Sequence, residues 1–309
     1  MRKDISPLVI GTIADTLGRG IEGVTDAVSE TFFEPVIRLG VTGLARSGKT
    51  VFITSLVANL LARGRMAGFE AASSGRIEAA FLQPQPDDTI PRFEFENHLA
   101  AMTGAEPYWP DSTRSVSELR LSLRVRPKGL LSGLSGPRTV HLDIIDYPGE
   151  WLLDLGLLDL DYASWSKMAL ERAATREMGA DYTATLAGVD PTAKLDEAKA
   201  SALARDWTAY LRAARAAGFS DCTPGRFLLP GDLEGSPALT FAPLPPSDSP
   251  RGSLAREFAR RFEAYKARVV KPFFRDHFAR IDRQIVLVDA LGAIHAGPPA
   301  LEDLRQALS

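Results

Sequence analysis

Gly43-Leu44-Ala45-Arg46-Ser47-Gly48-Lys49-Thr50 is the stretch from which the rest of the chain is read. Its spacing is G-x-x-x-x-G-K-[ST], the pattern of a loop that turns successive backbone N–H groups toward phosphate oxygens. The flanks give the pattern a physical context. Val36-Ile37-Arg38-Leu39-Gly40-Val41-Thr42 is an apolar run of strand type leading in, and residues 51–61 read as a buried helix leading out. A helix that starts at a phosphate adds the positive end of its dipole. Gly43, Ala45, Arg46, Ser47, Gly48, Lys49, Thr50 and Val51 are therefore the candidate nucleotide-binding residues. Lys49 would supply a point charge to the β- and γ-phosphates, and the Thr50 hydroxyl would bind Mg²⁺. The alternative is a Gly-rich strand-to-helix turn that happens to expose a lysine.

About a hundred residues on comes Thr139-Val140-His141-Leu142-Asp143-Ile144-Ile145-Asp146-Tyr147-Pro148-Gly149-Glu150, a strand ending in Asp-x-x-Gly. In Ras-like GTPases a strand of this kind lies beside the P-loop strand. By that resemblance Asp146 would hold a Mg²⁺ water, and the Gly149 N–H would meet the γ-phosphate and release a switch loop on hydrolysis. Alone, Asp-x-x-Gly says little, because acidic residues and glycines often close strands.

Composition narrows the class. The chain has 309 residues, enough for one large or two ordinary domains, with 45% hydrophobic and 24% charged residues. A net charge of −3 gives no general reason to expect nucleic acid as a partner. The single cysteine, Cys222, excludes an internal disulfide and fits a reducing compartment. No run approaches the roughly 18 apolar residues of a membrane span, and the N-terminus lacks the compact apolar stretch of a signal peptide. The expectation is a cytoplasmic protein, with a peripheral site on the inner membrane as the variant.

Four regions follow from patterning. In residues 1–33, Ile10, Ile13, Leu17, Ile21, Val24 and Val28 recur at intervals of three and four, one face of a helix weakened by Gly11, Gly18, Gly20 and Gly23. It would pack on the domain that follows or dock on a membrane surface or partner. Residues 34–150 hold the first part of the nucleotide-binding core. There Ile77-Glu78-Ala79-Ala80-Phe81-Leu82 is a short strand, and a helical turn is expected near residues 97–102. Ser117-Glu118-Leu119-Arg120-Leu121-Ser122-Leu123-Arg124-Val125 alternates as a half-buried strand, expected to pair antiparallel with the Asp146 strand at one sheet edge.

Residues 151–280 read as a helical insertion. Leu203, Trp207, Tyr210, Leu211 and Ala214 recur at helical spacing, as do Leu254, Phe258, Phe262, Val269, Phe273 and Phe278, with a break predicted at Pro272. Residues 230–252, with six prolines and three glycines, read as a long loop. Residues 251–283 carry ten Lys/Arg against four Asp/Glu, either a solvated helix face or a surface for an acidic partner or anionic lipid. In residues 281–309, Gln284-Ile285-Val286-Leu287-Val288-Asp289 returns to the core as a strand, followed by a helical tail over 301–308.

The segments GLARSGKTVFITSLVANLL, YWPDSTRSVSELRL, LDIIDYPGEWLLDL and QIVLVDAL resemble the YcjX-like P-loop GTPases, a bacterial stress-associated family. They span residues 43–291. The resemblance implies an α/β P-loop fold of Ras-like type, with a mostly parallel sheet, an antiparallel edge strand and a large helical insertion. It implies GTP and GDP rather than ATP, with Mg²⁺, and a nucleotide-dependent switch linked to stress. Family members are longer, and the [NT]-K-x-D strand that reads guanine lies beyond the equivalent of residue 309. The missing Asp would take two charge-assisted hydrogen bonds from guanine, each worth about 1.5–3 kcal/mol. Its absence would leave Ile285 and Leu287 on an unpaired edge, so the sequence reads as a fragment.

The same resemblance suggests catalytic roles. Glu150 occupies the position where Ras-like enzymes carry the glutamine that orients the attacking water. A carboxylate there repels the γ-phosphate unless a cation stands nearby. Arg46, inside the loop, is the candidate cation and arginine finger; its other reading is a surface salt bridge, with Glu150 among its partners. Thr113 is the candidate switch residue and Mg²⁺ ligand, ahead of Thr89 and Thr103, with an ordinary loop threonine as the alternative. His98, His141, His277 and His295 show no zinc spacing, and Phe93-Glu94-Phe95-Glu96-Asn97-His98 reads as a partly exposed turn. Two other functions stay open: an ATP-using P-loop enzyme, and a nucleotide-gated adaptor whose helical insert binds a partner.

Overall fold

The computed structural model describes residues 34–44, 47–62, 66–110, 115–128, 136–276 and 278–308. The N-terminal amphipathic pattern, Ala45, Arg46, Thr113 and His277 lie outside the described residues.

Five strands form one sheet in the order β2-β3-β4-β1-β5. They are β1 (Val36–Gly43), β2 (Ile77–Gln83), β3 (Ser117–Val125), β4 (Arg138–Asp146) and β5 (Arg283–Leu287). β1 lies in parallel between β4 and β5, while β3 runs antiparallel to both β4 and β2. The β3–β4 pairing is as the alternation predicts, but β2 adds itself outside, so β3 is second from that edge. On one face of β3, Leu119, Leu121, Leu123 and Val125 are buried with Ile53, Val57 and Leu60 of helix α1 (Lys49–Ala62). Each such side chain contributes about 1.5–3 kcal/mol by leaving water.

The other face of β3 is polar, and Arg120 and Ser122 find partners across the ladder. Arg120 forks onto Asp143 at 2.6 and 2.7 Å. Ser122 Oγ lies 2.8 Å from His141 Nδ1, and His141 Nε2 lies 2.6 Å from Glu34. His141 is thereby occupied as a structural bridge between strands. The segment near residue 95, expected as a turn, begins helix α2 (Phe95–Thr103), with Phe93 and Phe95 buried.

After β4 the chain enters the short helix α3 (Gly149–Leu153) and then a helical region. Its helices include α4 (Tyr162–Ala174), α5 (Ala180–Leu186), α6 (Glu197–Ala216), α7 (Leu254–Tyr265) and α8 (Lys271–Asp276). A separate apolar core gathers Trp165, Trp207, Phe241, Phe258, Phe262 and Tyr265. Asp196 caps α6 by accepting from the Ala198 and Lys199 N–H groups. The break expected at Pro272 takes the form of a π-helical turn, Lys266–Val270, just ahead of α8. Proline has no N–H for the carbonyl one turn back, and a widened turn makes room for its ring.

Residues 230–252 are a loop, as expected, but part of it is interior. Phe241, Ala242 and Leu244 are buried, and the hydroxyls of Tyr162, Tyr182 and Ser166 donate to the carbonyls of Ala242, Pro243 and Leu244. The basic stretch 251–283 is not one free cationic face. Arg261 and Lys266 are buried, and Arg260, Arg261, Lys266 and Arg275 pair with neighbouring carboxylates.

The chain returns through β5 to helices α9 (Ala290–Ala296) and α10 (Pro298–Ala307). Asp289, read as the end of the strand, instead caps α9 through the Gly292 N–H. Ile285 and Leu287 are half-buried against the sheet core, whereas Val286, Leu291 and Ile294 are exposed. Among the described residues no strand pairs with the outer side of β5. Asp303 on α10 is buried and accepts from Arg176 and from the Ser220 and Asp221 N–H groups, tying the return helix to the helical region. No helix among the described residues is long and apolar enough to cross a membrane.

Candidate nucleotide site

β1 delivers Gly43 to the end of the sheet, where there is no room for a side chain. A Cβ on Gly43 would lie 2.3 Å from Ser47 Oγ and 2.6 Å from the Leu287 carbonyl oxygen. Gly48 has φ +80°, a conformation that L side chains rarely adopt. The loop closes by a Ser47 N–H to Leu44 carbonyl bond of 3.1 Å, and α1 starts with Phe52 N–H donating to Gly48 at 2.8 Å. Lys49 and Thr50 thus form the first turn of a helix whose leading N–H groups face the loop, and Val51 follows, half-buried. The Ser47 hydroxyl is buried with no hydrogen-bond partner among the described residues. That is an unmet polar group at the start of α1.

β4 brings the Asp-x-x-Gly segment to the same place. Lys49 Nζ lies 3.1 Å from Asp146 Oδ1, and both side chains are almost fully buried. A Cβ on Gly149 would lie 2.4 Å from the carbonyl carbon and oxygen of Gly43 and 2.8 Å from the Leu44 nitrogen. The two backbones touch, and only glycine allows it. Gly43, Ser47, Gly48, Lys49, Thr50, Asp146 and Gly149 are therefore gathered at one end of β1 and β4.

Thr50 and Asp146 offer a hydroxyl and a carboxylate, the hard oxygen donors that suit Mg²⁺. Such an ion is commonly held by one or two protein groups together with phosphates and water, so this small donor set fits it. Thr89 and Thr103, the lesser switch candidates, are both engaged locally. Thr89 bonds Asp87, and Thr103 bonds back to the Leu99 carbonyl in the last turn of α2.

Glu150 has a cationic partner from outside the two motifs. It is buried in the first turn of α3, and its Oε1 lies 2.9 Å from a guanidinium nitrogen of Arg215, in the last turn of α6. The cation beside Glu150, assigned from sequence to Arg46, is among the described residues Arg215. It reaches the site because the helical region folds back onto α3. Nothing local distinguishes Arg215 from Arg205 or Arg212 on the same helix, so only the tertiary contact reveals it. Trp109 is the second residue that motif reading passes over. Its ring comes within 4.0 Å of where a Gly48 Cβ would stand, while the side chain remains 69% exposed.

Behind Glu150, the helical region grips the α3 segment. Trp151 Nε1 donates to the Leu229 carbonyl at 2.9 Å, and Arg226 stacks on the Trp151 ring at 3.2 Å. Asp154 is buried and accepts from Tyr265 Oη and the Gly225 and Arg226 N–H groups. Burial pushes its carboxyl up to about 6, against the pull of these donors. Cys222 is buried nearby, its thiol pushed up to about 12 by desolvation, an unreactive group.

A family model described as YcjX-like family, DUF463, matches residues 37–309. The chain belongs to the YcjX-like family. It is 42% identical to a protein named Ras-like GTPase YcjX from Escherichia coli K12, over 88% of this chain and 62% of that protein. A Ras-like GTPase YcjX from Shewanella oneidensis MR-1 is 37% identical over 88% of this chain and 61% of its own length. The chain thus spans about three-fifths of the length of the curated relatives it matches. Its mixed sheet with P-loop and Asp-x-x-Gly at one end is consistent with the Ras-like fold in those names.

Proposed function

We propose that this chain carries the phosphate-binding part of a GTP-binding and GTP-hydrolysing switch. The observation that carries the reading is the meeting of the two motifs: Lys49 against Asp146, and the Gly149 backbone against Gly43. Phosphoryl transfer needs positioning and charge stabilisation more than covalent chemistry, and these are the groups that supply both. The Gly43–Thr50 loop binds the phosphates, Lys49 leaves Asp146 for the β- and γ-oxygens, and Thr50 and Asp146 hold Mg²⁺. The metal, when bound, neutralises charge on the transferring phosphate. The Gly149 N–H meets the γ-phosphate, and Glu150 orients water. Preference for guanine is supported by the relatives' names, since [NT]-K-x-D does not occur in this sequence. Slow turnover and a role in stress response rest on the family resemblance. Thr113 as switch ligand, a cytoplasmic location and the division at residues 33, 150 and 280 belong to the same proposal.

The test is single-turnover hydrolysis of GTP with Mg²⁺ by the wild-type chain, Lys49→Ala and Glu150→Ala. Hydrolysis by wild type, loss of nucleotide affinity in Lys49→Ala, and retained affinity with slowed hydrolysis in Glu150→Ala are expected. Hydrolysis surviving Lys49→Ala would count against the reading.

A second reading, a nucleotide-gated adaptor, draws support from the grip on α3. Trp151 and Asp154 join the segment after Gly149 to the helical region, so movement there would be felt by a partner bound to the insert. Under it, Glu150→Ala abolishes hydrolysis but leaves the nucleotide-dependent change in hydrogen exchange over residues 197–230.

A further inference from the structure

Arg215 reaches the site from a helix that holds no nucleotide motif. Its guanidinium stands 2.9 Å from Glu150 Oε1, with the two side chains 26% and 7% exposed. The contact is fixed by main chain as well as by charge. A Cβ on Gly225 would fall 1.8 Å from the Glu150 carbonyl oxygen, so the turn after Pro224 lies flat against the Glu150 peptide. Asp154 takes the Gly225 N–H at 2.7 Å and holds that turn in place. The helical region thus lies against the Glu150 backbone and brings a cation beside its carboxylate.

A carboxylate adjoining the residue proposed to meet the γ-phosphate faces like-charge repulsion. It can serve there only with a neutralising cation, and a partly buried pair is screened little by salt. We propose that Arg215 is a positioning residue for hydrolysis. It neutralises and orients Glu150 so that the carboxylate accepts a hydrogen bond from the attacking water, and it makes hydrolysis depend on the helical region being seated on α3. In that step the water oxygen bonds to the γ-phosphorus while the bond to the bridging oxygen breaks. The electron pair of the broken bond stays on GDP, and one proton of the water passes to the carboxylate and on to an oxygen of the inorganic phosphate formed. The inference rests on the reading of this site as a GTP-hydrolysing one.

Arg215→Gln, Arg215→Lys, Glu150→Ala and the double variant Glu150→Ala/Arg215→Gln are compared in the 309-residue chain. Single-turnover GTP hydrolysis, GDP affinity and melting temperature are measured for each. Arg215→Gln is expected to slow hydrolysis by about tenfold or more while GDP affinity stays within about twofold, the split that separates positioning from binding. Arg215→Lys should recover much of the rate because it keeps the charge. Adding Arg215→Gln to Glu150→Ala should cost nothing further. Arg215→Met, which keeps the packing stem, takes the place of Arg215→Gln if that variant does not fold.

Wild-type hydrolysis in Arg215→Gln, or a lysine variant as slow as the glutamine one at an unchanged melting temperature, would overturn the inference. A fall in affinity and melting temperature together, with no recovery by lysine, would make Arg215 a structural tether only. Failure of the underlying reading looks different: wild type then shows no hydrolysis, or Glu150→Ala hydrolyses normally.

Discussion

At the scale of single residues, the site depends on places where a side chain is forbidden and on one aromatic ring left outside. Gly149→Ala puts a methyl 2.4 Å from the Gly43 carbonyl, so the P-loop and Asp-x-x-Gly backbones must part. The expected cost is about 1–3 kcal/mol of stability, measured by denaturant unfolding, together with loss of any difference between GTP- and GDP-bound forms. Trp109 offers a direct optical test. Of the four tryptophans, Trp151, Trp165 and Trp207 are buried, while Trp109 is 69% exposed beside Gly48. Titration with GDP should change the intrinsic fluorescence, and Trp109→Phe should remove most of that change without abolishing binding.

At the scale of elements, the attachment of α3 to the helical region carries one source of pH dependence. Asp154 has a carboxyl raised to about 6 in the fold, against an ordinary 3.8, chiefly by burial. The folded chain therefore binds this proton more tightly than the unfolded chain does. Stability from this group is present below the ordinary value and is lost as pH rises through about 6. A rise of that size corresponds to a loss of about 3 kcal/mol. Wild type should lose stability relative to Asp154→Asn as pH rises from about 4 to about 6, read from denaturant midpoints. A parallel pH course in the two proteins would contradict it.

The elements also show what a sequence displays and what it hides. β1, the Gly43–Thr50 loop and α1 are legible because strand, turn and helix are specified by neighbours a few residues apart. β3 is legible because Leu119, Leu121 and Leu123 alternate with charged and polar residues. The place of β2 outside β3 is not, since pairing order is set by the whole sheet. The interior course of Phe241–Leu244 is masked by its prolines, which indicate a loop but not whether it is buried. Arg215 is hidden because a charged residue on a helix carries no mark of the distant carboxylate it meets.

At the scale of the whole molecule, a sheet core and a helical core are joined through α3 and through Asp303 on α10. Asp303 accepts from Arg176 and two backbone N–H groups, so removing it leaves a buried guanidinium without its carboxylate. Asp303→Ala should cost about 3–5 kcal/mol and loosen the helical region before the sheet, visible as earlier hydrogen exchange over residues 172–222. The position of the proposed phosphate site at the end of β1 and β4 follows from the sheet alone, and its proposed response to the γ-phosphate follows from the joint with the helical region.

The measurement that bears most directly on this reading is calorimetric titration of GDP, with Mg²⁺, into the wild-type chain and Lys49→Ala. Wild type should bind one GDP per chain, and Lys49→Ala should bind at least about 100-fold more weakly, a loss of roughly 3 kcal/mol. Equal affinity in the two proteins, or no binding of GDP by wild type, would contradict a nucleotide site at Gly43–Thr50.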